Sequence, residues 1–302
     1  MSKNGKWTSE DIPDQKGRTA IVTGANSGIG FEEAIALAKK NAEVILACRN
    51  KKRGEDALSR IKSEFPKANC KLMQLDLSNL KSVRKFAGEF NKNHKPLHVL
   101  INNAGVMMVP YSKTPNGFEL HLGTNHLGHF ALTGLLMDTL LKTKNSRIVN
   151  VSSMAHGMGN LDFDDLQWEK RKYSKMKAYG DSKLANIYFT YELKRRLEKK
   201  KLTTIAAASH PGWTATNLQR HVGFFKYMNY ILGQNSEMGA LPTLYAATVE
   251  DVKSGDYYGP GGFQGLRGHP KKVESSKLSH DMNIAKKLWE VSEKLTGVKY
   301  NL

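Results

Sequence analysis

Tyr179 and Lys183 have residue types and a spacing that suit proton transfer. They stand four positions apart in YGDSK, so a helix would place both side chains on one face. Hydride addition to a carbonyl leaves an oxyanion that must receive a proton, and a nearby ammonium group lowers the pKa of a tyrosine donor. We therefore predict Tyr179 as the proton-transfer residue and Lys183 as its electrostatic partner. Because Y-x-x-x-K is common on amphipathic helices, the assignment depends on the surrounding motifs.

Ser153 follows the apolar run RIVNVS (147–152), where a buried strand would end. Ligands lie at the carboxyl ends of strands in open α/β sheets, so this hydroxyl is placed to hydrogen-bond a reacting oxygen. Ser152 is the alternative, because neighbouring strand residues face opposite sides. A hydrolase built on Ser153, His156 and Asp181 is disfavoured, since the sequence has no G-x-S-x-G nucleophile turn.

A glycine-rich turn, TGANSGIG (23–30), connects the strand-like run TAIVT (19–23) to the helical pattern FEEAIALAKK. Gly24 permits a tight turn, and Gly28 lets backbone N–H groups approach a pyrophosphate. Gly30 allows the helix to pack against the strand with its N-terminus facing the anion. A helix-capping loop is the structural alternative, but the flanking strand and helix favour a dinucleotide site.

The end of the second strand-like run, EVILAC (43–48), indicates which dinucleotide is preferred. A carboxylate there would bind a ribose 2′-hydroxyl, whereas an arginine suits a 2′-phosphate. The chain continues as RNKKR, with Arg49 at that position and Lys52 and Arg53 as candidate helpers. We therefore predict NADP(H) as the cofactor, with NAD(H) the less favoured alternative.

Short β-branched and aliphatic runs alternate with longer segments of helical period, which is typical of a parallel sheet covered on both faces. No repeat or linker divides the chain, so we predict a single α/β domain (17–302) after an N-terminal extension (1–16). The expected fold is a Rossmann-type doubly wound parallel sheet of about seven strands. The stretch 255–268 is interpreted as a strand followed by a loop. The other predicted strands are 19–23, 43–48, 71–75, 98–102, 147–152 and 203–209, and the predicted helices lie near 28–40, 79–92, 118–142, 179–199 and 237–249.

These motifs resemble the short-chain dehydrogenase/reductase family over nearly the whole chain. The resemblance rests on G-x-x-x-G-x-G, NNAG (102–105), TNHLGHF (124–130), SS (152–153), YGDSK (179–183) and HPG (210–212), which occur in that order. It implies a Rossmann fold, a nicotinamide cofactor and a catalytic set. The implied catalytic residues are Asn125, Ser153, Tyr179 and Lys183.

The resemblance also implies roles for residues around the cofactor. Asn125 matches the asparagine that holds a water linking the lysine to solvent. Asp76 matches the acidic residue that bonds the adenine amino group, although it would equally suit a helix cap. Asn103 matches the residue that holds the central strands beside the ribose. The implied cofactor-binding residues are Gly24, Asn26, Ser27, Gly28, Ile29, Gly30, Arg49, Asp76, Leu77, Asn103, Ala104, Gly105, Tyr179, Lys183, Pro211, Gly212, Thr214 and Thr216.

Two further segments point to the substrate. The family resemblance implies that Pro211 and Gly212 shape a loop over the nicotinamide, and that a substrate lid covers about 213–236. A surface amphipathic helix is the alternative for the apolar part of that lid. Together with Met107, Met108 and Val109, the lid predicts a roomy apolar pocket for a small lipophilic carbonyl or alcohol.

The long insert between the serine and tyrosine motifs, 154–178, resembles the retinol dehydrogenase and WW-domain oxidoreductase branch, as does SKLANIYFTYEL after it. That branch acts on retinoids, other aldehydes and bulky ketones. We therefore predict interconversion of a lipophilic aldehyde or ketone, including retinal-like compounds, with its alcohol. The alternatives are a double-bond reductase similar to protochlorophyllide reductase and a non-catalytic NADP(H)-binding regulator.

The net charge of +18 raises the question of a nucleic-acid partner. The basic runs are dispersed along the chain, so we interpret them as solvated surface and predict no specific nucleic-acid binding.

Cys48 and Cys70 lie in apolar runs and are interpreted as buried free thiols, and no histidine or cysteine spacing predicts a metal site. With no membrane span and no secretory signal, the expected location is the cytoplasm. The sequence leaves open whether the chain forms a homo-oligomer.

Overall fold

The apolar runs pair into a single sheet in the computed structural model, which describes residues 6–93, 96–214 and 233–302. Eight strands occur in these residues: β1 (Thr19–Thr23), β2 (Glu43–Cys48), β3 (Cys70–Gln74), β4 (Val99–Asn102), β5 (Arg147–Val151), β6 (Ile205–Ser209), β7 (Tyr257–Gly262) and β8 (Arg267–Lys272). Their order is β3-β2-β1-β4-β5-β6-β7-β8, with every pair parallel except the antiparallel β7 and β8. The predicted α/β class and Rossmann-type architecture are confirmed.

Helices cover both faces of this sheet. The first face carries α1 (Gly28–Lys39), α2 (Lys51–Glu64) and α6 (Ser236–Thr248). The second face carries α3 (Leu80–Lys92), α4 (Gly128–Lys142), α5 (Lys175–Lys199) and α7 (Met282–Thr296). Strand residues alternate between the two cores: Ala20 and Val22 face the first, and Ile21 faces the second. Among the described residues, no helix is both long and apolar enough to cross a membrane.

The helix α2 was not predicted, because its sequence carries a narrow apolar stripe. Only Gly54, Ala57 and Ile61 of its fourteen residues are buried, and the rest of the segment is dominated by charged and polar side chains. Gly54 occurs where a side chain would collide with the sheet, since a Cβ there would lie 2.5 Å from Leu72 Cδ1. Tertiary packing therefore stabilises a helix that its composition only weakly indicates.

The end of the chain also differs from the sequence prediction. The predicted loop ends at 268, whereas the structure has a further strand, β8, that begins at Arg267 and whose sequence RGHPKK has no β-branched residue. The helix α7, capped by Asp281, buries Trp289 among the aromatic rings of the second core. The helix α5 begins at Lys175, earlier than predicted, because the Ser174 side chain accepts a hydrogen bond from Lys177 N.

The predicted N-terminal extension packs against the domain from its first described residues. The Trp7 ring meets Tyr245 edge-on at 5.2 Å between centroids, and the Trp7 carbonyl accepts a hydrogen bond from His269 Nδ1. Ile12 is buried in the first core. These contacts place the described part of the extension against α6 and β8.

The direction of strand addition reverses between β1 and β4, which are neighbours in the sheet. The chain leaves β1 toward β2 on one side, whereas β4 leads to β5 on the other. Loops that diverge in this way leave a crevice at the carboxyl ends of the two strands, which is the usual ligand position in such sheets. The glycine turn and NNAG both begin at this crevice.

Glu33 is a fully buried carboxyl on α1 and provides a prediction about stability. Within the described residues neither of its oxygens has a hydrogen bond of normal geometry, although the Thr243 hydroxyl lies close by. Burial raises the pKa of Glu33 well above its ordinary value. A raised native pKa stabilises the fold at low pH, and this stabilisation is lost as the pH rises through that pKa. We expect Glu33→Gln to raise the melting temperature at pH 8 by about 3 °C or more.

The pH series provides the control for this prediction. The advantage of Glu33→Gln is expected to shrink as the pH falls toward the ordinary glutamate pKa, because the carboxyl then becomes protonated in the unfolded chain as well and folding no longer has to neutralise it. Glu32→Gln on the same helix serves as the matched variant, since Glu32 is partly exposed. Equal melting temperatures of Glu33→Gln and the wild type at pH 8 would contradict the prediction.

Candidate active site

The glycine turn after β1 approaches the start of the NNAG loop so closely that side chains are excluded. Gly24 and Gly28 have φ angles of 72° and 57°, which favour glycine. A Cβ on Gly30 would lie 2.5 Å from Asn103 Nδ2 and 2.7 Å from the Gly24 carbonyl oxygen. Ser27, which precedes α1, makes no side-chain hydrogen bond to the helix. The first N–H groups of α1 are therefore not capped by that side chain.

Thr23 ties the glycine turn to the loop after β4. Its hydroxyl oxygen accepts hydrogen bonds from the backbone N–H groups of Asn103 and Ala104, at 2.9 and 3.0 Å. The Asn103 side chain in turn donates to the Thr23 carbonyl at 2.8 Å. These bonds cross from β4 to β1 and hold the two loops at a fixed separation. The geometry gives Asn103 the strand-linking contacts that the family resemblance implied.

A cleft of about 210 Å³ opens at this strand reversal. Twelve of the predicted cofactor-binding residues line it: Gly24, Asn26, Ser27, Gly28, Ile29, Gly30, Arg49, Asp76, Leu77, Asn103, Ala104 and Gly105. Four further lining residues were missed by the sequence analysis: Ala47, Leu75, Val106 and Thr124. Ala47 lies two positions before Arg49 and Leu75 two positions before Leu77, so strand alternation would have identified them.

Arg49 and Asp76 both line the cleft. Arg49 is exposed and follows β2 directly, with its backbone carbonyl accepting a hydrogen bond from Gln74 Nε2. The Asp76 carboxylate accepts hydrogen bonds from the Ser78 N–H and hydroxyl at 3.0 and 2.7 Å. Asp76 therefore stabilises the turn before α3, whereas Asn79 caps that helix. The cap role considered for Asp76 belongs to Asn79.

Tyr179 and Ser153 lie together, outside the residues that line the cleft. Ser153 follows β5, and its hydroxyl oxygen accepts a hydrogen bond from Ala155 N at 3.2 Å. Burial raises the pKa of Tyr179 to about 12, and a hydrogen bond with Ser153 partly offsets that rise. Ser152 points the other way, donating to the Lys183 carbonyl at 2.8 Å. Of the two serines, Ser153 is the one beside Tyr179.

Lys183 is buried with its ammonium group near both Tyr179 and the cleft. Nζ lies 5.8 Å from the centre of the Tyr179 ring and donates to the Val151 carbonyl at 3.0 Å. Burial lowers the pKa of Lys183 to about 8. A Cβ on Gly105, which lines the cleft, would lie 3.6 Å from this Nζ. The cleft and the Tyr–Lys pair therefore form a continuous site.

The electrostatic expectation for Tyr179 was wrong in direction. We expected a pKa lowered by Lys183, whereas burial raises the pKa of Tyr179. The physical reason is that removing the phenol from water penalises the charged tyrosinate, and this is the largest effect on the Tyr179 pKa. Tyr179 therefore holds its proton at neutral pH, as a proton donor must.

Asn125 lies in a π-helical turn, Leu122–Leu127, that precedes α4. The sequence pattern predicts one continuous helix near 118–142, so the π-helical turn is a difference from that prediction. The Asn125 side chain accepts a hydrogen bond from Val106 N at 2.8 Å and donates to Val106 O and Ser182 Oγ. Val106 lines the cleft, and Ser182 donates to the Tyr179 carbonyl. Asn125 therefore connects the cleft lining to the helix turn that carries Tyr179 and Lys183.

The predicted contacts beyond β6 fall outside the cleft lining of the described residues. Gly212 has a φ of 65°, and a Cβ there would lie 2.3 Å from the Leu266 carbonyl oxygen. Pro211 accepts hydrogen bonds from Thr214 Oγ1 and Gln234 Nε2, both at 2.8 Å. Pro211, Gly212 and Thr214 thus form a braced loop between β6 and the β7–β8 hairpin. Thr216 and most of the predicted lid lie outside the described residues.

The hydrolase alternative finds no support in the side-chain geometry. His156 Nδ1 donates to the backbone carbonyl of Ser153, not to its hydroxyl, and its other nitrogen accepts from Ser276 N. Asp181 faces Asn160 and Arg171 instead. In the described part of the chain, no group of three or more metal-ligating side chains is present either.

Comparisons with known proteins agree with this architecture. The family model of short chain dehydrogenases matches residues 18–224, and the chain belongs to that family. Human retinol dehydrogenase 11 is 44% identical over 287 residues, which cover 93% of this chain and 86% of the relative. Human retinol dehydrogenase 13 is 41% identical over 294 residues, with coverages of 94% and 86%. The chain is thus a member of the retinol dehydrogenase-like branch.

A solved structure shows the same fold over almost the entire chain. The crystal structure of an uncharacterised protein from Mycobacterium paratuberculosis matches with a TM-score of 0.84 at 41% identity. The match covers 98% of this chain and 100% of that protein. Its agreement includes the regions on both sides of the insert 154–178.

Proposed function

We propose that this oxidoreductase reduces a lipophilic aldehyde or ketone with NADPH and, in reverse, oxidises the alcohol. The observation that carries the proposal is the meeting of Ser153, protonated Tyr179 and buried Lys183 beside Gly105, which lines the cleft. A donor, a hydrogen-bonding hydroxyl and a cation side by side suit protonation of a developing oxyanion.

The backbone of the glycine turn supports a dinucleotide as the ligand of the cleft. A Cβ on Gly30 would collide with Asn103 and Gly24, so this glycine lets the start of α1 pack closely against the turn and the loop after β4, as the third glycine of a dinucleotide site does. The N-terminus of α1 faces the same turn, and helix N-terminal N–H groups favour phosphate. Gly24, Gly28 and Gly30 would hold the pyrophosphate, and Lys183 would reach the nicotinamide ribose. A bound reduced nicotinamide supplies the hydride.

The remaining steps belong to side chains of this chain. Ser153 Oγ donates a hydrogen bond to the substrate carbonyl and orients it. The Tyr179 hydroxyl transfers its proton to the carbonyl oxygen as that oxygen gains negative charge. Lys183 stabilises the resulting tyrosinate through its positive charge. Asn125 holds Val106 and the Ser182 turn of the tyrosine helix in place.

The preference for NADP(H) over NAD(H) rests on Arg49. It is the residue directly after β2, it is exposed, and it lines the cleft. A guanidinium binds a 2′-phosphate with two parallel hydrogen bonds, whereas a ribose 2′-hydroxyl would prefer a carboxylate. The next residue, Asn50, caps α2 through Arg53 N, so it is occupied with the helix.

The lipophilic substrate class rests on the loop after β4 and on the relatives. Met107, Met108 and Val109 are half-buried apolar side chains beside the cleft, and Met108 has a φ of 56°. Flexible methionines suit irregular apolar ligands. The relatives at 41–44% identity are named retinol dehydrogenases, and retinol is a lipophilic alcohol. We therefore propose long-chain and retinoid-like aldehydes as the first substrates to assay.

The test of the proposed function is a carbonyl panel assayed by NADPH consumption. The panel should contain all-trans-retinal, medium-chain and long-chain aldehydes and bulky ketones, each with NADPH or NADH. Turnover with at least one lipophilic carbonyl, faster with NADPH, is the expected result. Saturable NADPH binding without turnover on the whole panel would instead favour a non-catalytic nucleotide-binding role.

Arg49→Asp gives a direct prediction on cofactor choice. Loss of a charge-assisted contact to the 2′-phosphate corresponds to about 1.5–3 kcal/mol, which is roughly 10–100-fold in NADPH affinity. NADH affinity is expected to stay within about threefold, because it carries no phosphate there. Lys67→Asp, an equal charge change just before β3 at the opposite end of the strands, is the control. Equal losses for both cofactors would contradict the assignment.

A further inference from the structure

Buried Glu119 and His121 form, with half-buried Tyr173, a polar cluster behind Tyr179 that the proposed mechanism does not use. Glu119 and His121 have relative exposures of 1% and 0%. Both precede the π-helical turn, whereas Tyr173 lies more than fifty residues later, in the insert 154–178. Burying a carboxylate and an imidazole costs free energy unless the two groups are paired. Their presence in the interior therefore needs a physical explanation.

The hydrogen bonds of this cluster are complete and directional. His121 Nδ1 donates to Glu119 Oε1 at 2.8 Å, and the Tyr173 hydroxyl donates to the same oxygen at 2.9 Å. Burial alone would raise the pKa of Glu119, but hydrogen bonds from His121 and from the Leu122 N–H hold it below its ordinary value. The carboxylate therefore stays ionised and fixes the orientation of the imidazole ring.

The oriented imidazole touches the proton-transfer residue. Its ring meets the Tyr179 ring at 6.0 Å between centroids, with the planes inclined by 62°. On its far edge, Nε2 accepts from Val109 N at 3.4 Å. His121 therefore contacts Tyr179 and the apolar loop after β4 at once, while Glu119 and Tyr173 hold it from behind. In this arrangement Nδ1 is the donor of the ring and Nε2 its acceptor.

We infer that His121 is a positioning residue that sets the orientation of the Tyr179 ring, with Glu119 and the insert's Tyr173 fixing His121 in turn. The inference rests on the proposed function and deepens it. A phenol rotates about two torsions, so the direction of its hydroxyl depends on what packs against the ring. Edge-to-face aromatic contacts supply such a constraint. The insert thereby acquires a function in the reaction through Tyr173, besides any cover it gives the substrate.

The two parts of the His121 contact can be separated by substitution. His121→Asn places an amide donor near the position of Nδ1 and keeps the bond to Glu119, but it removes the ring. His121→Phe with Glu119→Gln keeps a ring and removes the buried charge. Tyr173→Phe removes only the hydroxyl that braces Glu119. Tyr191→Phe is the matched control, because the Tyr191 hydroxyl bonds Ser275 instead.

We expect His121→Asn to lower kcat about 10–100-fold with the KM for NADPH within twofold, because small misplacements of a reacting group have effects of this size. Tyr173→Phe should lower kcat by roughly threefold to tenfold, and the ring-retaining double variant should recover part of the His121→Asn loss. Tyr191→Phe should match the wild type. A kcat within twofold of wild type for His121→Asn, measured beside an inactive Tyr179→Phe, would overturn the inference and leave the proposed function standing.

A spectroscopic measurement decides the inference without turnover. The protein is labelled with 3-fluorotyrosine, and the Tyr179 fluorine resonance is assigned by its absence in Tyr179→Phe. A shifted or broadened Tyr179 resonance in His121→Asn, with the Tyr188 resonance unchanged, supports positioning by His121. An unchanged Tyr179 resonance overturns it. If the wild type turned over no carbonyl, the proposed function would fail, and this readout would still decide the role of His121.

Discussion

Tyr179→Phe is expected to lose at least about a thousandfold in kcat for carbonyl reduction while retaining NADPH affinity. General acid catalysis contributes about 10²–10⁴-fold, and no other acidic hydroxyl in the described site has the same relation to Ser153 and Lys183. The phenylalanine ring keeps the packing against His121, so the loss isolates the hydroxyl. Stopped-flow single turnover with excess enzyme measures the chemical step directly, and fluorescence titration measures NADPH binding.

The direction of the pH effect follows from the raised pKa of Tyr179. With a pKa of about 12, the hydroxyl is protonated at neutral pH and ready for reduction, whereas alcohol oxidation needs it as a base. The rate of alcohol oxidation should therefore rise with pH over the range in which the rate of carbonyl reduction does not change.

The Tyr191→Phe variant is the control for loss of a tyrosine hydroxyl on the same helix. Retention of more than a tenth of the reduction rate by Tyr179→Phe would remove Tyr179 from the mechanism.

The parts of the site that the sequence predicted are those whose chemistry is local. The glycine turn lies within eight residues, and Tyr179 and Lys183 lie within one helical turn, so spacing alone placed them together. The alternation of strand and helix patterns similarly predicted the sheet and its crevice. The placement of Arg49 beside the glycine turn also followed, because parallel strand ends meet at one sheet edge.

Contacts between distant segments could not be predicted from local patterns. The pairing of Glu119 with Tyr173 joins residues 54 positions apart, and neither sits in a motif that indicates the other. The selection of Ser153 over Ser152 depends on the residue at which β5 ends. Side-chain alternation does not identify that residue, and a difference of one position would exchange the two serines. The raised pKa of Tyr179 depends on burial, a property of the whole packed structure.

Lys183→Met is expected to lower kcat/KM about a hundredfold at pH 7. The ammonium lies 5.8 Å from the Tyr179 ring centre, and at an effective dielectric constant near 20 a unit charge at this distance stabilises a tyrosinate by about 3 kcal/mol. That energy corresponds to roughly a hundredfold in rate. Lys183→Arg, which keeps the charge on a longer side chain, should retain more activity than Lys183→Met if charge is the main contribution.

The pH profile makes the prediction specific to Lys183. Because burial lowers its pKa to about 8, kcat/KM for reduction should be level below that pH and fall as the pH rises through it, since the free enzyme then loses the ammonium. Lys183→Met should lack this alkaline limb.

The melting temperature of Lys183→Met distinguishes this electrostatic role of Lys183 from a structural one. Lowering the pKa from 10.5 to about 8 disfavours the native ammonium by about 3 kcal/mol, so removing it at pH 7 should leave the melting temperature equal or higher. Asn186 still donates to the Val151 carbonyl in the variant. A variant that melts well below the wild type would show instead that Lys183 supports the fold through its bond to Val151.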